Sequence, residues 1–416
     1  MIKTLTYVYI ITLLALTGCG DLDKPKNEKV NGGEILVDLD GNTIKSSLIK
    51  AGIPGIDEST TVYGYKAFKI PYTTTDESGN SVEASGLMVV PQGLPEIVNN
   101  KLGFSMVSDD HGTIFSNAQA PVEVASANNA PYGASIILTS LYGFVTLQPD
   151  YIGFGDSLSH YHPFTLKKSL ANATVDFIKA AKDFAAQNAI NLNGQLFLTG
   201  YSEGGYAALA TLQKIESEGE LHVTLAAPMG GPYAFEIMAK GVLSQPMLSV
   251  PSFMADIGYA YALTYDEDVA SIINEPYASK LENLFDGSKV RAQIDTQLTR
   301  KTTGIDGLFN PQFVQDFFTN SSNWFLIAAQ QNNVHNWAPK TAVRLVHCEG
   351  DDVIPYAIAN LTQKTMKKMG ASDVELVPVE KTMHLSTLVT HSNCGSLAYG
   401  IAGNIFAQIR KKTVGY

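Results

Sequence analysis

The order of apolar and polar residues along the chain predicts short strands that alternate with amphipathic helices. Residues 65–91 predict two strands around a polar turn at 76–80, because Thr and Tyr alternate on both sides of that turn. Apolar residues recur every three or four positions over 166–187, which indicates an amphipathic helix. Apolar runs in TAVRLVHCEGDD and DVELVPVEKTMH add two strands. This alternation predicts an α/β fold, with a mainly parallel central sheet flanked by helices.

One long segment lacks this alternation. Residues 233–337 contain helical patterns rich in phenylalanine and tyrosine, and we find no strand followed by a helix there. Because both ends of the segment join predicted strands, we expect a helical cap or lid over the carboxyl edge of the sheet. The α/β core would then comprise residues 46–232 and 338–416. A separate helical domain with its own core is the alternative.

The amino terminus predicts export. A lysine precedes an apolar run and the sequence Leu-Thr-Gly-Cys, which indicates a secretory signal peptide over residues 1–18. This ending resembles a bacterial lipobox, so we expect Cys19 to be lipidated and residues 19–45 to include a flexible tether. The protein would then be a membrane-anchored lipoprotein of the bacterial cell envelope, periplasmic or on the outer surface. An ordinary signal peptide with an incidental cysteine is the alternative.

A single serine lies between glycines where a predicted strand meets a predicted helix over residues 203–218. The sequence Gly-Tyr-Ser-Glu-Gly, residues 200–204, is called the elbow below, and this strand-to-helix context is the one that Gly-x-Ser-x-Gly requires. Glycines permit a turn too tight for flanking side chains. The turn exposes the Ser202 hydroxyl at a helix N-terminus, where backbone N–H groups favour developing negative charge. We therefore predict that Ser202 is a nucleophile.

A nucleophilic serine needs a histidine to accept its proton and a carboxylate to orient that histidine. In chains with this elbow, the acid and then the histidine follow the serine along the sequence. Asp351 comes directly after one apolar strand, and His384 lies in the loop after the next. His391 is the competitor, but its expected position inside the following helix favours His384. The predicted triad is Ser202, Asp351 and His384.

Acyl transfer also needs N–H donors for the oxyanion of the tetrahedral intermediate. One donor is the backbone N–H of Glu203, whose side chain we interpret only as a polar residue at the start of a helix. The second should come from the loop SDDHGT after an early strand, although the sequence leaves open which residue supplies it. The candidates are Asp109, Asp110, His111, Gly112 and Thr113.

Composition and charge exclude some other classes. Among 416 residues, 45% are apolar and the net charge is −11, which allows a large core and argues against a nucleic-acid partner. His160 and His162 have no further ligand at a useful spacing, so we expect no metal and no cofactor, and a structural role for this pair. Cys348 and Cys394 would either pair, as in other exported proteins, or remain buried thiols.

These residues resemble an α/β-hydrolase, and more narrowly the secretory lipase family of capped lipases and esterases. QPDYIGFGDS resembles the family's Asp-Tyr-x-Gly-x-Gly loop, GYSEGG its Gly-Tyr-Ser-x-Gly-Gly sequence, and HCEGDDVIP its acid loop. In that match the acid falls on Asp351. Cys348 replaces a usual glycine and Glu203 a common glutamine, and neither departure touches the triad. Some members join the acid and histidine loops by a disulfide, which would suit Cys348 and Cys394.

We expect a serine carboxylic-ester hydrolase, a lipase or esterase that forms an acyl-enzyme on a lipid or small-molecule ester. A feruloyl or acetyl carbohydrate esterase, or a serine peptidase, would use the same triad. A catalytically inactive binding lipoprotein is the non-enzymatic alternative. The aromatic residues of the predicted cap suit an apolar acyl chain or an aromatic acid.

Overall fold

The computed structural model describes residues 28–50, 56–128 and 136–416, and ten strands of this part form one sheet. The strands are β1 (Glu28–Val30), β2 (Gly33–Leu39), β3 (Gly64–Thr75), β4 (Ser81–Gln92), β5 (Phe104–Asp110), β6 (Val145–Pro149), β7 (Leu192–Tyr201), β8 (Leu225–Met229), β9 (Val343–His347) and β10 (Val374–Pro378). Their spatial order is β1-β2-β3-β4-β6-β5-β7-β8-β9-β10.

The larger part of the sheet is parallel. Strands β6, β5, β7, β8, β9 and β10 are parallel neighbours, whereas β1 to β4 pair antiparallel with one another and β4 pairs antiparallel with β6. The carboxyl ends of the parallel strands therefore lie along one edge, where ligands bind in open α/β sheets. Ser202 follows β7 and Asp351 comes shortly after β9, so the sheet brings both to this edge. The predicted fold class is confirmed.

Helices cover the sheet and fill the long connection between β8 and β9. They are α1 (Gly41–Lys50), α2 (Pro121–Asn128), α3 (Lys167–Gln187), α4 (Glu203–Glu218), α5 (Phe235–Leu243), α6 (Pro251–Thr264), α7 (Val269–Ile272), α8 (Leu281–Leu284), α9 (Arg291–Asp295), α10 (Pro311–Thr319), α11 (Trp324–Gln331), α12 (Tyr356–Lys368), α13 (Val379–Thr382) and α14 (His391–Thr413). Shorter 3₁₀ or π turns occur at 98–102, 117–119, 136–141, 155–157 and 278–280.

Alternate residues of a central strand point to different layers of the core. In β7, Leu196 and Leu198 belong to the apolar cluster that contains α3 and α4, whereas Phe197 belongs to the cluster that contains α14. Phe197 stacks on Phe406 of α14 with ring centroids 4.6 Å apart. Because successive side chains of a strand point to opposite faces, this run of apolar residues is buried on both sides.

Residues 233–337, the predicted cap, contain the seven helices from α5 to α11, and their only β pairing in the described structure is three isolated bridges. Their aromatic residues form an apolar cluster that also includes Phe115 and Leu166 from outside the segment. The Tyr261 hydroxyl donates to the carbonyl of Thr165 at 3.2 Å, and the Lys167 N–H donates to Asn332 Oδ1 at 2.8 Å. These contacts fasten the segment to the loop before α3.

The predicted tether over residues 19–45 is too long. Residues 28–30 and 33–39 are strands β1 and β2, and β2 pairs with β3, with Val37 opposite Ala67. Val37 is fully buried. Ile35, Leu36 and Val37 form an apolar run to which no strand was assigned from the sequence. The predicted signal peptide, Cys19 and the start of the tether lie outside the described residues. Among the described helices, none is both long and apolar enough to cross a membrane.

Candidate active site

Ser202 occupies a strained turn between β7 and α4. Its backbone has φ 60° and ψ −120°, a conformation that residues with a side chain rarely adopt. A Cβ on Gly204 would lie 1.8 Å from the carbonyl oxygen of Asp110, and one on Gly205 2.4 Å from that of Met229. The elbow therefore needs glycine after the serine because β5 and β8 approach its backbone too closely for any side chain.

The structure brings Ser202, Asp351 and His391 into one hydrogen-bonded chain. His391 Nε2 lies 3.0 Å from Ser202 Oγ, and His391 Nδ1 lies 2.7 Å from Asp351 Oδ2. An ionised carboxylate only accepts hydrogen bonds, so Nδ1 carries the proton and Nε2 is free to accept from the serine hydroxyl. This is the arrangement that activates a serine for attack on a carbonyl carbon.

The structure places His391, and not the predicted His384, beside Ser202 and Asp351. His384 is exposed in the loop after α13, whereas His391 is the first residue of α14. His391 therefore does lie in the following helix, as expected, but a position at the first residue of a helix does not keep its side chain from the site. Asp352 Oδ1 accepts the N–H of His391 at 2.9 Å, and this bond joins the start of α14 to the residue next to the acid.

The predicted disulfide offered a signal that favours His391. Cys348 and Cys394 are joined, and their Cα atoms lie 6.0 Å apart. Cys348 lies three residues before Asp351, and Cys394 lies three residues after His391. A bond between the acid and histidine loops therefore brings His391, and not the more distant His384, to the acid.

Asp351 accepts hydrogen bonds on both carboxylate oxygens. Its Oδ1 accepts the backbone N–H groups of Val353 and Ile354 at 3.0 and 2.7 Å. Its Oδ2 contacts His391 and, at 3.3 Å, Nε2 of the fully buried His347. Burial alone would raise the pKa of Asp351, but the hydrogen bonds from His347 and His391 outweigh it and hold that pKa below its ordinary value. Asp351 therefore stays ionised opposite His391.

A buried carboxylate joins the two loops that carry Asp351 and His391. Glu380, at the start of α13, accepts the N–H of Glu349 at 2.8 Å and that of Gly350 at 3.1 Å. It also accepts the N–H of Val389 at 3.0 Å. Glu380 is not among the residues predicted from the sequence, since nothing in its local pattern indicates three donors from two separate loops.

The predicted oxyanion donors differ in their surroundings. Asp109 and Asp110 pair with β7 inside the sheet, and their buried side chains bind other core residues. The His111 ring contacts the carbonyls of Gly112 and Asp150 at 2.8 and 3.2 Å. Thr113, by contrast, lines a cavity together with Ser202 and Glu203.

The Glu203 side chain is not the solvated residue at a helix start that its position suggested. It is 1% exposed, and its Oε1 lies 2.8 Å from Nε2 of His162. His160, the other histidine of the predicted pair, is exposed. In the described part of the chain no group of three or more His, Cys, Asp or Glu side chains forms a metal site.

An apolar cavity opens beside Ser202. The space within it and in its opening to solvent is about 1090 Å³ together, and most of its lining residues are apolar. Helix α5 contributes Phe235, Met238, Ala239, Val242 and Leu243, and helices α6, α10 and α11 contribute Phe253, Met254, Ile257, Phe313 and Phe325. The predicted cap therefore supplies most of the wall that faces the elbow.

The family model for secretory lipases matches residues 132–398, well over half of the chain. The chain belongs to the secretory lipase family. It is therefore an ester-hydrolysing enzyme, and membership of a secretory family indicates an exported protein. No curated protein matches the chain.

Solved structures share the fold along nearly the whole chain. A Legionella pneumophila protein classed as a hydrolase by inference is 24% identical with a TM-score of 0.80, over 93% of this chain and 99% of that one. The rice cell wall degrading esterase LipA of Xanthomonas oryzae is 23% identical with a TM-score of 0.73, over 94% and 98%. Candida antarctica lipase A in its closed state is 16% identical with a TM-score of 0.62, over 96% and 87%. At these identities the likeness concerns the fold.

Proposed function

We propose that this secretory lipase family member hydrolyses carboxylic esters through a triad of Ser202, His391 and Asp351. The proposal rests on two contacts of the His391 imidazole: Nε2 lies 3.0 Å from Ser202 Oγ, and Nδ1 lies 2.7 Å from Asp351 Oδ2. Disulfide Cys348–Cys394 and the Glu380 carboxylate support this arrangement, because both join the loops that carry the acid and the base.

In this mechanism Ser202 Oγ attacks the ester carbonyl carbon while His391 Nε2 takes the hydroxyl proton. Asp351 stabilises the imidazolium that forms. The backbone N–H groups of Glu203 and Thr113 stabilise the oxyanion of the tetrahedral intermediate. His391 then protonates the departing alcohol, which leaves an acyl-enzyme on Ser202. Water, deprotonated by His391, attacks this acyl group, and release of the acid restores the free serine.

The apolar cavity supports an acyl chain as the group that enters beside Ser202. Each methylene buried in an apolar site contributes about 0.8 kcal/mol, which corresponds to roughly a fourfold gain in kcat/KM per methylene. Residues 233–337 act as a cap in this proposal, because α5 and α6 supply much of the cavity wall. We therefore propose that the protein is a lipase or carboxylesterase that acts on esters of apolar acyl groups.

The test compares Ser202→Ala, His391→Ala and His384→Ala on p-nitrophenyl acyl esters. We expect the first two variants to lose at least about 10³-fold in kcat and the third to remain close to wild type. A fluorophosphonate probe should label Ser202, located by peptide mass spectrometry. Full activity of His391→Ala, or a loss confined to His384→Ala, would reject the triad.

A cell-wall ester is the second candidate substrate, and one observation favours it. The Xanthomonas oryzae esterase, which shares this fold over 94% of the present chain, is described as degrading the rice cell wall. An ester panel that varies acyl length and includes feruloyl and acetylated sugar esters separates the two. Rising kcat/KM with acyl length supports the acyl-chain substrate, and a preference for sugar esters supports the polysaccharide.

We also propose that residues 1–18 are a cleaved signal peptide and that Cys19 carries a lipid anchor. This rests on the sequence Leu-Thr-Gly-Cys at the end of an apolar run. Expression with radiolabelled palmitate in a bacterial host should label the wild-type protein and leave Cys19→Ser unlabelled and released from the membrane fraction. Equal labelling of both proteins would reject the anchor.

A further inference from the structure

His162 lies behind the elbow among aromatic rings, and both of its ring nitrogens face acceptors. Its Nδ1 lies 2.9 Å from the carbonyl oxygen of Ile152, and its Nε2 lies 2.8 Å from Glu203 Oε1. Phe154 and Tyr151 pack on the ring at centroid distances of 4.9 and 6.0 Å. A carbonyl oxygen only accepts, so Nδ1 must carry a hydrogen.

The contacts of His162 with Ile152 and Glu203 determine how many protons the His162–Glu203 pair holds. With Nδ1–H donating to Ile152, the contact between Nε2 and a carboxylate oxygen needs one further proton, shared as imidazolium and carboxylate or as imidazole and carboxylic acid. Without that proton, a lone pair of His162 would face a negatively charged oxygen of Glu203 at 2.8 Å. The pair is 7% and 1% exposed, so water cannot separate the two groups.

The electrostatic surroundings favour the imidazolium form. Burial lowers the pKa of His162, but the charge of Glu203 and its hydrogen bond outweigh burial and raise that pKa above its ordinary value. A salt bridge of this kind holds its proton beyond the pH at which an isolated histidine would release it.

Within the described residues, four other titratable groups face the pair from the elements packed around it. Burial keeps Tyr151 and Tyr206 neutral by raising their pKa values, and it lowers the pKa of His111. Burial raises the pKa of Asp256, on α6, to about 8. Asp256 is therefore the one of these four that would also titrate at mildly alkaline pH. The experiment must distinguish its titration from that of the His162–Glu203 pair.

We propose that the His162–Glu203 pair holds one proton as a buried ion pair behind the oxyanion-stabilising turn, and that loss of this proton sets the alkaline limit of ester hydrolysis. The proposal rests on the proposed function, since Glu203 supplies an oxyanion donor through its backbone N–H. His162 and the Glu203 side chain are positioning residues here, because neither side chain is assigned a contact with the reacting atoms.

The physical reason is the charge beside the oxyanion. With its proton, the pair is neutral overall and orients the first turn of α4. After the proton leaves, a net negative charge remains on or next to Glu203, where the transition state also places negative charge. A unit charge within about 10 Å at an effective dielectric constant of about 20 reduces kcat/KM roughly tenfold.

The experiment measures kcat/KM from pH 6 to 10 for wild type, Glu203→Gln, Asp256→Asn and His160→Gln, with spontaneous ester hydrolysis subtracted. In Glu203→Gln, a glutamine amide donates to the neutral His162 Nε2, so the contact persists without a proton to lose. We expect kcat/KM of wild type to fall roughly tenfold at alkaline pH, and the ratio of alkaline to neutral kcat/KM in Glu203→Gln to rise by the same factor. His160→Gln, which alters an exposed histidine two residues away, should keep the wild-type profile.

A wild-type alkaline fall that persists in Glu203→Gln overturns the proposal. A fall that disappears only in Asp256→Asn assigns the limit to Asp256 and also overturns it. If Glu203→Gln does not fold, ¹⁵N-histidine NMR of the wild type decides, with the resonance assigned by its loss in His162→Gln. Two protonated ring nitrogens at pH 7 support the ion pair, and a neutral His162 rejects it. Equal activity of wild type and Ser202→Ala would instead reject the proposed function. The NMR result would still show whether His162 is protonated on both ring nitrogens.

Discussion

Glu380 gives the sharpest test of how the acid and the base are held together. Glu380 is 4% exposed, and its carboxylate accepts three backbone N–H groups, from Glu349, Gly350 and Val389. The first two precede Asp351 directly, and the third lies two residues before His391. In Glu380→Gln, one of the two carboxylate oxygens becomes an amide NH₂ group, which faces backbone donors and cannot accept from them.

The magnitude follows from the number of bonds lost. Hydrogen bonds to a charged group are worth about 1.5–3 kcal/mol each, and Glu380→Gln removes one or two of the three. We expect the free energy of unfolding to fall by about 2–4 kcal/mol, because the disulfide still ties the two loops. A shift of about 1 Å between acid and base costs up to roughly a hundredfold in rate. We therefore expect kcat to fall about 10- to 100-fold while KM changes little.

Urea unfolding and steady-state kinetics on one ester measure both effects. Glu375→Gln is the matched control, because its side chain on β10 is 62% exposed and pairs with Arg344 at the surface. It should change neither quantity appreciably. A Glu380→Gln enzyme with wild-type kcat and unchanged stability would contradict this prediction, since the three bonds would then hold nothing that catalysis needs.

Three further predictions address the cavity, the disulfide and a buried acid. Ala239→Phe should lower kcat/KM for long acyl esters and leave kcat/KM for acetyl esters unchanged, because it fills part of the cavity. Lys240→Gln, beside it in α5, is the control. Equal losses on all esters would contradict this prediction. Reducing Cys348–Cys394, which closes a separation of 46 residues, should lower the free energy of unfolding by about 4 kcal/mol in urea titrations. Burial raises the pKa of Asp150 to about 7, whereas the unfolded chain releases that proton near pH 4. The contribution of Asp150 to the free energy of unfolding should therefore fall as pH rises from about 4 to about 7. Asp150→Asn should remove this contribution, while exposed Asp183→Asn leaves the pH dependence unchanged.

Features set by local physics could be predicted from the sequence. The hairpin of β3 and β4, helix α3 and helix α4 follow the apolar repeat and the turn residues closely. The elbow could be located because Gly204 and Gly205 are required by the close approach of β5 and β8, which the motif records in the chain itself. In each case the residues that fix the structure are neighbours in sequence.

The histidine of the site could not be chosen in this way. The order of serine, acid and histidine admits both His384 and His391, and the expected position of His391 inside the following helix favoured the wrong residue. His391 is the first residue of that helix, where Asp352 accepts its N–H and the disulfide holds Cys394 against the acid loop. Both contacts join segments about 40 residues apart, so the local pattern does not contain them.

Glu203 shows the same limit more strongly, because its local context pointed the wrong way. A glutamate at the first position of a helix is ordinarily solvated, where it interacts favourably with the helix dipole. Here the position is fixed by the elbow, where Glu203 is 1% exposed, and burial of an unpaired carboxylate is costly. A partner for the charge therefore had to come from elsewhere in the fold, and His162, 41 residues earlier, supplies it. A charged residue at an obligatorily buried position of a motif thus predicts a distant partner, even where the sequence does not say which one.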